Sequence, residues 1–135
     1  MNREIEEKFI NNFIVKDKRE RIRFELSSAK KRETVIQRIY NLLDRKFAVL
    51  EDPKVSDEEL KSVLKKYFNP NKECYIISES DDDGRVMPFK QAFENMIDFE
   101  VNYLIICDEN TVLMSEEYTT FGSPNRIILH KNSKN

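Results

Sequence analysis

Residues 74–107 read CYIISESDDDGRVMPFKQAFENMIDFEVNYLIIC, and this stretch decides the fold. Two apolar runs, 74–80 and 101–107, flank an acidic turn at 81–87 and a segment at 88–98 with apolar residues at helical spacing. The pattern predicts a strand, a crossover helix that begins at Pro88, and a second strand. We expect the rest of the chain to pack onto this unit.

The N-terminal half is predicted to be helical, because its apolar residues recur every three or four positions over 3–14, 29–44 and 56–68. Segment 15–28 fits two structures. Ile22, Phe24 and Leu26 alternate with charged residues as in a strand, whereas Ile22 and Leu26 share one face of a helix. We favour the helix because most of these residues are good helix formers.

Beyond residue 107, a hairpin turn at 108–110 is expected to lead into a strand at 111–115, and a polar loop into a last strand at 125–131. The predicted fold class is α/β or α+β, with N-terminal helices followed by β-α-β-β-β. These strands would form a mixed sheet of about four strands with helices packed on it. Residues 1–135 are predicted to form a single domain, helical over 1–70 and sheet-containing over 71–131.

The composition and the distribution of apolar residues exclude several classes of function. The sequence has no N-terminal signal pattern and no apolar run of about 20 residues, so we expect a cytoplasmic protein without a membrane partner. In that compartment Cys74 and Cys107 are predicted to be buried thiols. With only two glycines, Gly84 and Gly122, the chain lacks a phosphate-cradling loop, and we predict no cofactor.

An acidic cluster follows the first predicted strand, and a second acidic turn follows the next one. If the two strands are parallel, both clusters lie at the carboxyl edge of the sheet, where ligands bind in open α/β sheets. Carboxylates gathered there would suit Mg²⁺ and an enzyme of phosphoryl transfer or hydrolysis. The residues of this alternative are Glu79, Asp81, Asp82, Asp83 and Asp108. The competing interpretation is that these are ordinary turn residues.

A basic segment in the N-terminal half suggests nucleic-acid binding as a further alternative. Residues 1–50 carry 13 Lys and Arg against 8 Asp and Glu, which is +5, although the whole chain is at −2. Clustered cations of this kind are typical of nucleic-acid-binding surfaces. The residues concerned are Lys16, Lys18, Arg19, Arg21, Arg23, Lys30, Lys31 and Arg32. Interleaved acidic residues fit instead a solvated, internally paired helix surface.

Tyr118 and Phe121 are aromatic residues in a predicted polar loop, with Arg126 close behind them. Aromatic residues and Arg are enriched at protein interfaces, so these three residues are the predicted partner-binding site. We assign no catalytic residues, and the single His130 is expected to be an ordinary surface residue. The favoured function is a non-enzymatic protein-binding or regulatory module. Its partner would be another protein or a second copy of the chain in a homodimer.

Overall fold

A computed structural model describes residues 1–52, 56–117 and 124–132 of the chain. Over these residues, five α-helices pack on one six-stranded sheet. The helices are α1 (Arg3–Phe13), α2 (Arg19–Leu26), α3 (Arg32–Leu42), α4 (Asp57–Tyr67) and α5 (Phe89–Phe99). The strands are β1 (Ala48–Asp52), β2 (Glu73–Ser78), β3 (Val86–Pro88), β4 (Tyr103–Cys107), β5 (Thr111–Glu116) and β6 (Asn125–His130). The fold class is mixed α+β.

Two of the helices begin at a residue whose side chain caps the first turn. The Asn2 side chain accepts a hydrogen bond from the backbone N–H of Ile5 and so starts α1. At the start of α4, the Ser56 hydroxyl and the Glu59 carboxylate form a reciprocal capping box. Each contact satisfies a backbone N–H group that would otherwise have no partner within the helix.

The ambiguous segment 15–28 is helical, which confirms the favoured interpretation. A single 3₁₀ turn at Lys16–Lys18 precedes α2. In this helix Ile22 and Leu26 are buried while Phe24 is 62% exposed. A strand would have placed all three side chains on one face. The Phe24 ring instead lies under the Lys31 ammonium, 5.1 Å from its centroid.

The sheet differs from the predicted mixed sheet of about four strands. Its order is β1-β6-β5-β4-β2-β3, and every neighbouring pair is antiparallel. The two additional strands, β1 and β3, lie at the edges. The sequence of β1 resembles a connection because it is short and precedes a proline. Strand β3 overlaps the end of the predicted turn and the predicted first residue of the helix, Pro88. An edge strand tolerates proline because one side of its backbone needs no ladder partner.

Strand β3 reverses the chain between β2 and β4, so the parallel arrangement on which the magnesium hypothesis depends is not formed. Both β3 and β4 pair antiparallel with β2, so they run parallel to each other on either side of it. The crossover through α5 therefore joins β3 to β4, and β2 and β4 are antiparallel. Ser78, the last residue of β2, pairs with Tyr103, the first residue of β4. The carboxyl ends of these two strands consequently point in opposite directions, so the residues that follow them lie at opposite ends of the strands.

Two apolar cores cover the two faces of the sheet. Helices α1, α2 and α3 pack on the face that carries Tyr75, Ile77 and Leu104. Helices α4 and α5 pack on the other face, with Ile76 and Ile105. Because both faces are covered, the central strands have no solvent-facing side, which explains their uninterrupted apolar runs.

Cys74 and Cys107 are joined by a disulfide, which corrects the prediction of two thiols. Both residues are buried in the core beneath α4 and α5, as predicted. They lie one register step beyond the Tyr75–Ile106 pair, directly opposite each other, with Cα atoms 4.5 Å apart. This separation lies within the range that a disulfide spans. Antiparallel pairing thus brings together the first and last residues of the stretch that decides the fold.

In the described part of the chain, no helix combines the length and the apolar character needed to cross a bilayer.

Candidate functional site

The acidic turn after β2 uses its carboxylates as structural acceptors. Both oxygens of Asp83 accept hydrogen bonds from the Arg32 guanidinium, at 2.7 and 2.9 Å. Glu79 accepts from the Gln37 amide at 2.9 Å and from the backbone N–H of Asn102 at 3.3 Å. These side chains therefore tie the turn to α3 and to the start of β4.

Asp82 is buried and faces away from Asp83. Its Oδ2 accepts a 2.6 Å hydrogen bond from the Tyr103 hydroxyl and a 2.9 Å hydrogen bond from the Asn95 amide. Burial, reinforced by this carboxylate, raises the pKa of the Tyr103 hydroxyl far above its usual range. The pair links the turn to β4 and α5 on the opposite face of the sheet.

Arg32 is the centre of a buried charge network. Its guanidinium binds both oxygens of Glu6 at 2.7 and 2.8 Å, in addition to Asp83, and it donates to the carbonyl of Leu26. Burial by itself would lower the pKa of Arg32, but the hydrogen bonds to the two carboxylates raise it. The Tyr75 hydroxyl donates to Glu6 at 2.6 Å, and burial together with that bond raises its pKa to about 12.

The predicted cation-binding set is not brought together. Asp108 lies at the edge of the sheet opposite Asp82 and Asp83, because β2 and β4 are antiparallel. Its Oδ1 accepts from the backbone N–H of Asn110 within the β4–β5 turn, and the neighbouring Glu109 pairs with Lys8 of α1 at 2.6 Å. Among the described residues, no three His, Cys, Asp or Glu side chains are grouped so that they could hold a metal ion.

The predicted basic segment has much of its charge paired within the protein. Arg32 is buried, Arg21 pairs with Glu25 at 2.8 Å, and Arg23 pairs with Glu7 at 3.0 Å. Glu25 is buried, which would raise its pKa, but hydrogen bonds from Arg38 and Arg21 lower it overall. The remaining members of the set are placed as follows: Arg19 donates to the carbonyl of Ile14, Lys31 covers Phe24, and Lys16, Lys18 and Lys30 are exposed.

Of the predicted partner-binding residues, Tyr118 and Phe121 lie outside the described residues. Arg126 pairs with Ser115 across β5 and β6, and its side chain donates to the Ser115 hydroxyl at 3.4 Å. Only 5% of Arg126 is exposed, so this residue is buried in the interior of the protein. His130 is exposed at the end of β6 and contacts the Thr111 hydroxyl at 2.9 Å.

An open apolar groove between α4 and α5, with a volume of about 350 Å³, was not predicted from the sequence. Its floor is made of aliphatic and aromatic side chains: Leu64, Phe68, Phe89, Phe93 and Ile97. The rings of Phe68 and Phe89 stack with centroids 4.4 Å apart, and Phe93 follows at 6.0 Å from Phe89. Each helix was predicted, but the sequence carries no signal that the two helices lie side by side.

Three exposed lysines line the groove, Lys61 and Lys65 on α4 and Lys90 on α5. Glu94, one turn after Lys90, is the acidic residue of the lining. Within residues 1–52, 56–117 and 124–132, no ion pair to a described side chain involves these three lysines. The groove therefore combines an apolar floor with an excess of positive charge, three lysines against one glutamate.

The connection from α4 to β2 fixes the relative position of the two helices. The backbone N–H groups of Phe89 and Lys90 donate to the carbonyls of Lys72 and Pro70, at 2.8 and 3.0 Å. The free N–H groups at the start of α5 are thus satisfied by the segment that follows α4. The groove is held by main-chain contacts in addition to side-chain packing.

A larger crevice, of about 500 Å³, lies among α1, α2 and the start of α3. Four of its charged residues are paired, Arg23 with Glu7 and Arg32 with Glu6, and the fifth, Arg3, is exposed. In the α4–α5 groove, by contrast, none of the three lysines is in an ion pair with a described side chain, and the floor is more apolar. It is therefore the stronger candidate for binding another molecule.

No protein-family model, curated protein or solved structure matches this chain.

Proposed function

We propose that this protein is a non-enzymatic protein-binding module that receives a segment of its partner in the α4–α5 groove. The observation that carries the proposal is the apolar floor, open to solvent, between two lysine-bearing walls. Exposed apolar surface with a polar rim is characteristic of interaction sites, because covering it removes apolar area from water.

The chemistry of the lining favours a protein over a small reacting molecule. Small-molecule sites use a few polar groups that converge on the ligand. The groove offers ammonium groups spaced along its two sides, and a floor built from hydrocarbon and aromatic rings. Such a surface suits an elongated partner that makes apolar contacts along its centre and charged contacts along its margins.

The internal pairing of the basic segment favours a protein partner over nucleic acid. Arg21, Arg23 and Arg32 each contact at least one carboxylate. Releasing those contacts to bind phosphates would cost part of the free energy gained, and for the buried Arg32 it would leave two carboxylates without their cation. Nucleic-acid binding remains the alternative to test with the same purified protein.

The experiment is a selection of peptides from a displayed random library on the intact chain. Binders are then compared on two variants: Ile97→Glu, which puts a charge on the groove floor, and Phe24→Glu, the same kind of change at an exposed apolar residue of α2; circular dichroism checks that both variants are folded. We expect binders that are lost on Ile97→Glu and kept on Phe24→Glu. A selection whose binders ignore Ile97→Glu would overturn the groove as the binding surface.

A further inference from the structure

We infer that the groove takes an amphipathic α-helix whose apolar stripe is flanked by acidic residues. This inference rests on the proposed function and adds the conformation and charge of the partner segment. Three properties of the groove lead to it: its charge, the chemistry of its floor, and its length.

The charge of the groove selects an acidic partner. Lys61 and Lys65 are four residues apart and therefore lie on the same side of α4, while Lys90 stands on the other wall. Glu94 offsets one of these three charges. A partner with Glu or Asp on both margins of its apolar stripe would meet an ammonium group on each side. Complementary charge of this kind speeds association and excludes basic competitors.

The chemistry of the floor selects a helical partner. The floor consists of side chains from two helices, whose central backbone groups are already hydrogen-bonded within each helix. The lysines only donate hydrogen bonds. Glu94 is the one carboxylate among the lining residues, so an extended segment pressed onto this surface would bury most of its N–H groups without acceptors, which is costly. A helix satisfies its own backbone and presents side chains alone, as in other helix-in-groove complexes.

The length of the groove sets the size of the contact. From Lys61 to Phe68 the wall rises about 10 Å along α4, at about 1.5 Å per residue. This corresponds to about two turns of a bound helix, with anchors at positions i, i+3 or i+4, and i+7. Because Phe68, Phe89 and Phe93 are themselves mostly buried, the contact area is small, and we expect a transient complex.

The test uses three synthetic peptides and the intact chain. The acidic peptide is a helix former with leucines at i, i+3, i+4 and i+7 and glutamates on both flanks. Its basic twin carries lysine in place of each glutamate, and a third peptide carries a central proline. Affinities are measured by fluorescence anisotropy on the native protein, on Lys61→Glu/Lys65→Glu/Lys90→Glu, and on the control Lys16→Glu/Lys18→Glu/Lys30→Glu.

We expect the acidic peptide to bind the native protein and to lose about tenfold in affinity on the groove variant, through three weak surface charge contacts. The control variant should retain native affinity, and the proline peptide should bind weakly. The basic twin should prefer the charge-reversed groove, a gain that a misfolded variant would not show.

Two results would overturn the helix inference. One is equal affinity of the acidic peptide for the two triple variants, and the other is equal binding of the proline peptide. If the library binders depend on Ile97 but prove extended or basic, the groove remains a binding site and only the helix inference fails. If no library binder depends on Ile97, the proposed function fails with it.

Discussion

Arg32 and Glu6 form a bidentate ion pair at 2.7 and 2.8 Å, although 26 residues separate them and their side chains are only 10% and 7% exposed. The same guanidinium binds Asp83, so one cation joins α1, α3 and the turn after β2. Buried charges require partners, because removing a charge from water is costly. Arg32 therefore links the N-terminal helices to the turn after β2, in addition to the apolar core beneath them.

Replacing Arg32 with Leu should destabilise the protein by about 3 kcal/mol, because two carboxylates lose their cation in a largely dry site. Urea denaturation followed by circular dichroism measures this change. The control is Arg38→Leu, since Arg38 is 40% exposed and its pair with Glu25 should contribute less than about 1 kcal/mol. Equal losses in the two variants would contradict a central role for Arg32.

Stability should fall at alkaline pH. The unfolded-state pKa of tyrosine is about 10, whereas the folded-state pKa is raised to about 12 for Tyr75 and is raised further for Tyr103. The raised values add stability that is fully present below about pH 10 and is lost as pH rises through the folded-state pKa. Unfolding free energies measured across this window should decline. The free energy of unfolding should decline less steeply with pH in Tyr75→Phe/Tyr103→Phe. An unchanged slope in that variant would show that these two tyrosines do not cause the decline.

Reduction of the Cys74–Cys107 disulfide should lower the free energy of unfolding by about 2–4 kcal/mol, because the bond closes a loop across 33 residues of sequence separation in the unfolded chain. Denaturation with and without a dithiol reductant measures the difference. In Cys74→Ala/Cys107→Ala the reductant should have no effect. If peptide mapping finds that both cysteines can be alkylated in the untreated protein, the disulfide is absent and this prediction is wrong.

The capping box of α4 should contribute measurably to the helix that forms one wall of the groove. Ser56→Ala removes the acceptor for the Glu59 N–H and should cost about 1 kcal/mol. Ser62→Ala, at an exposed position of the same helix, should change stability by less than about 0.5 kcal/mol. Thermal denaturation of both variants provides the comparison, and indistinguishable midpoints would argue against the cap.

Helix positions could be predicted from the sequence because their signals are local. Apolar spacing and capping residues such as Ser56 and Glu59 act between residues three or four positions apart. The same locality decided between the two structures of segment 15–28, where helix-forming residues outweighed a short alternation. The burial of Cys74 and Cys107 also followed from their uninterrupted apolar runs.

Tertiary structure alone decided the direction of β4, the partners of the carboxylates and the existence of the groove. Val86–Pro88 pairs as a strand only because β2 lies beside it, and that short strand reverses the chain so that Asp108 and Asp83 end at opposite edges. Arg32 and Asp83, or α4 and α5, meet through contacts between residues far apart in sequence. Forming such contacts costs the conformational entropy of closing long loops, and this cost is offset only when the whole chain folds. No local sequence pattern therefore encodes them.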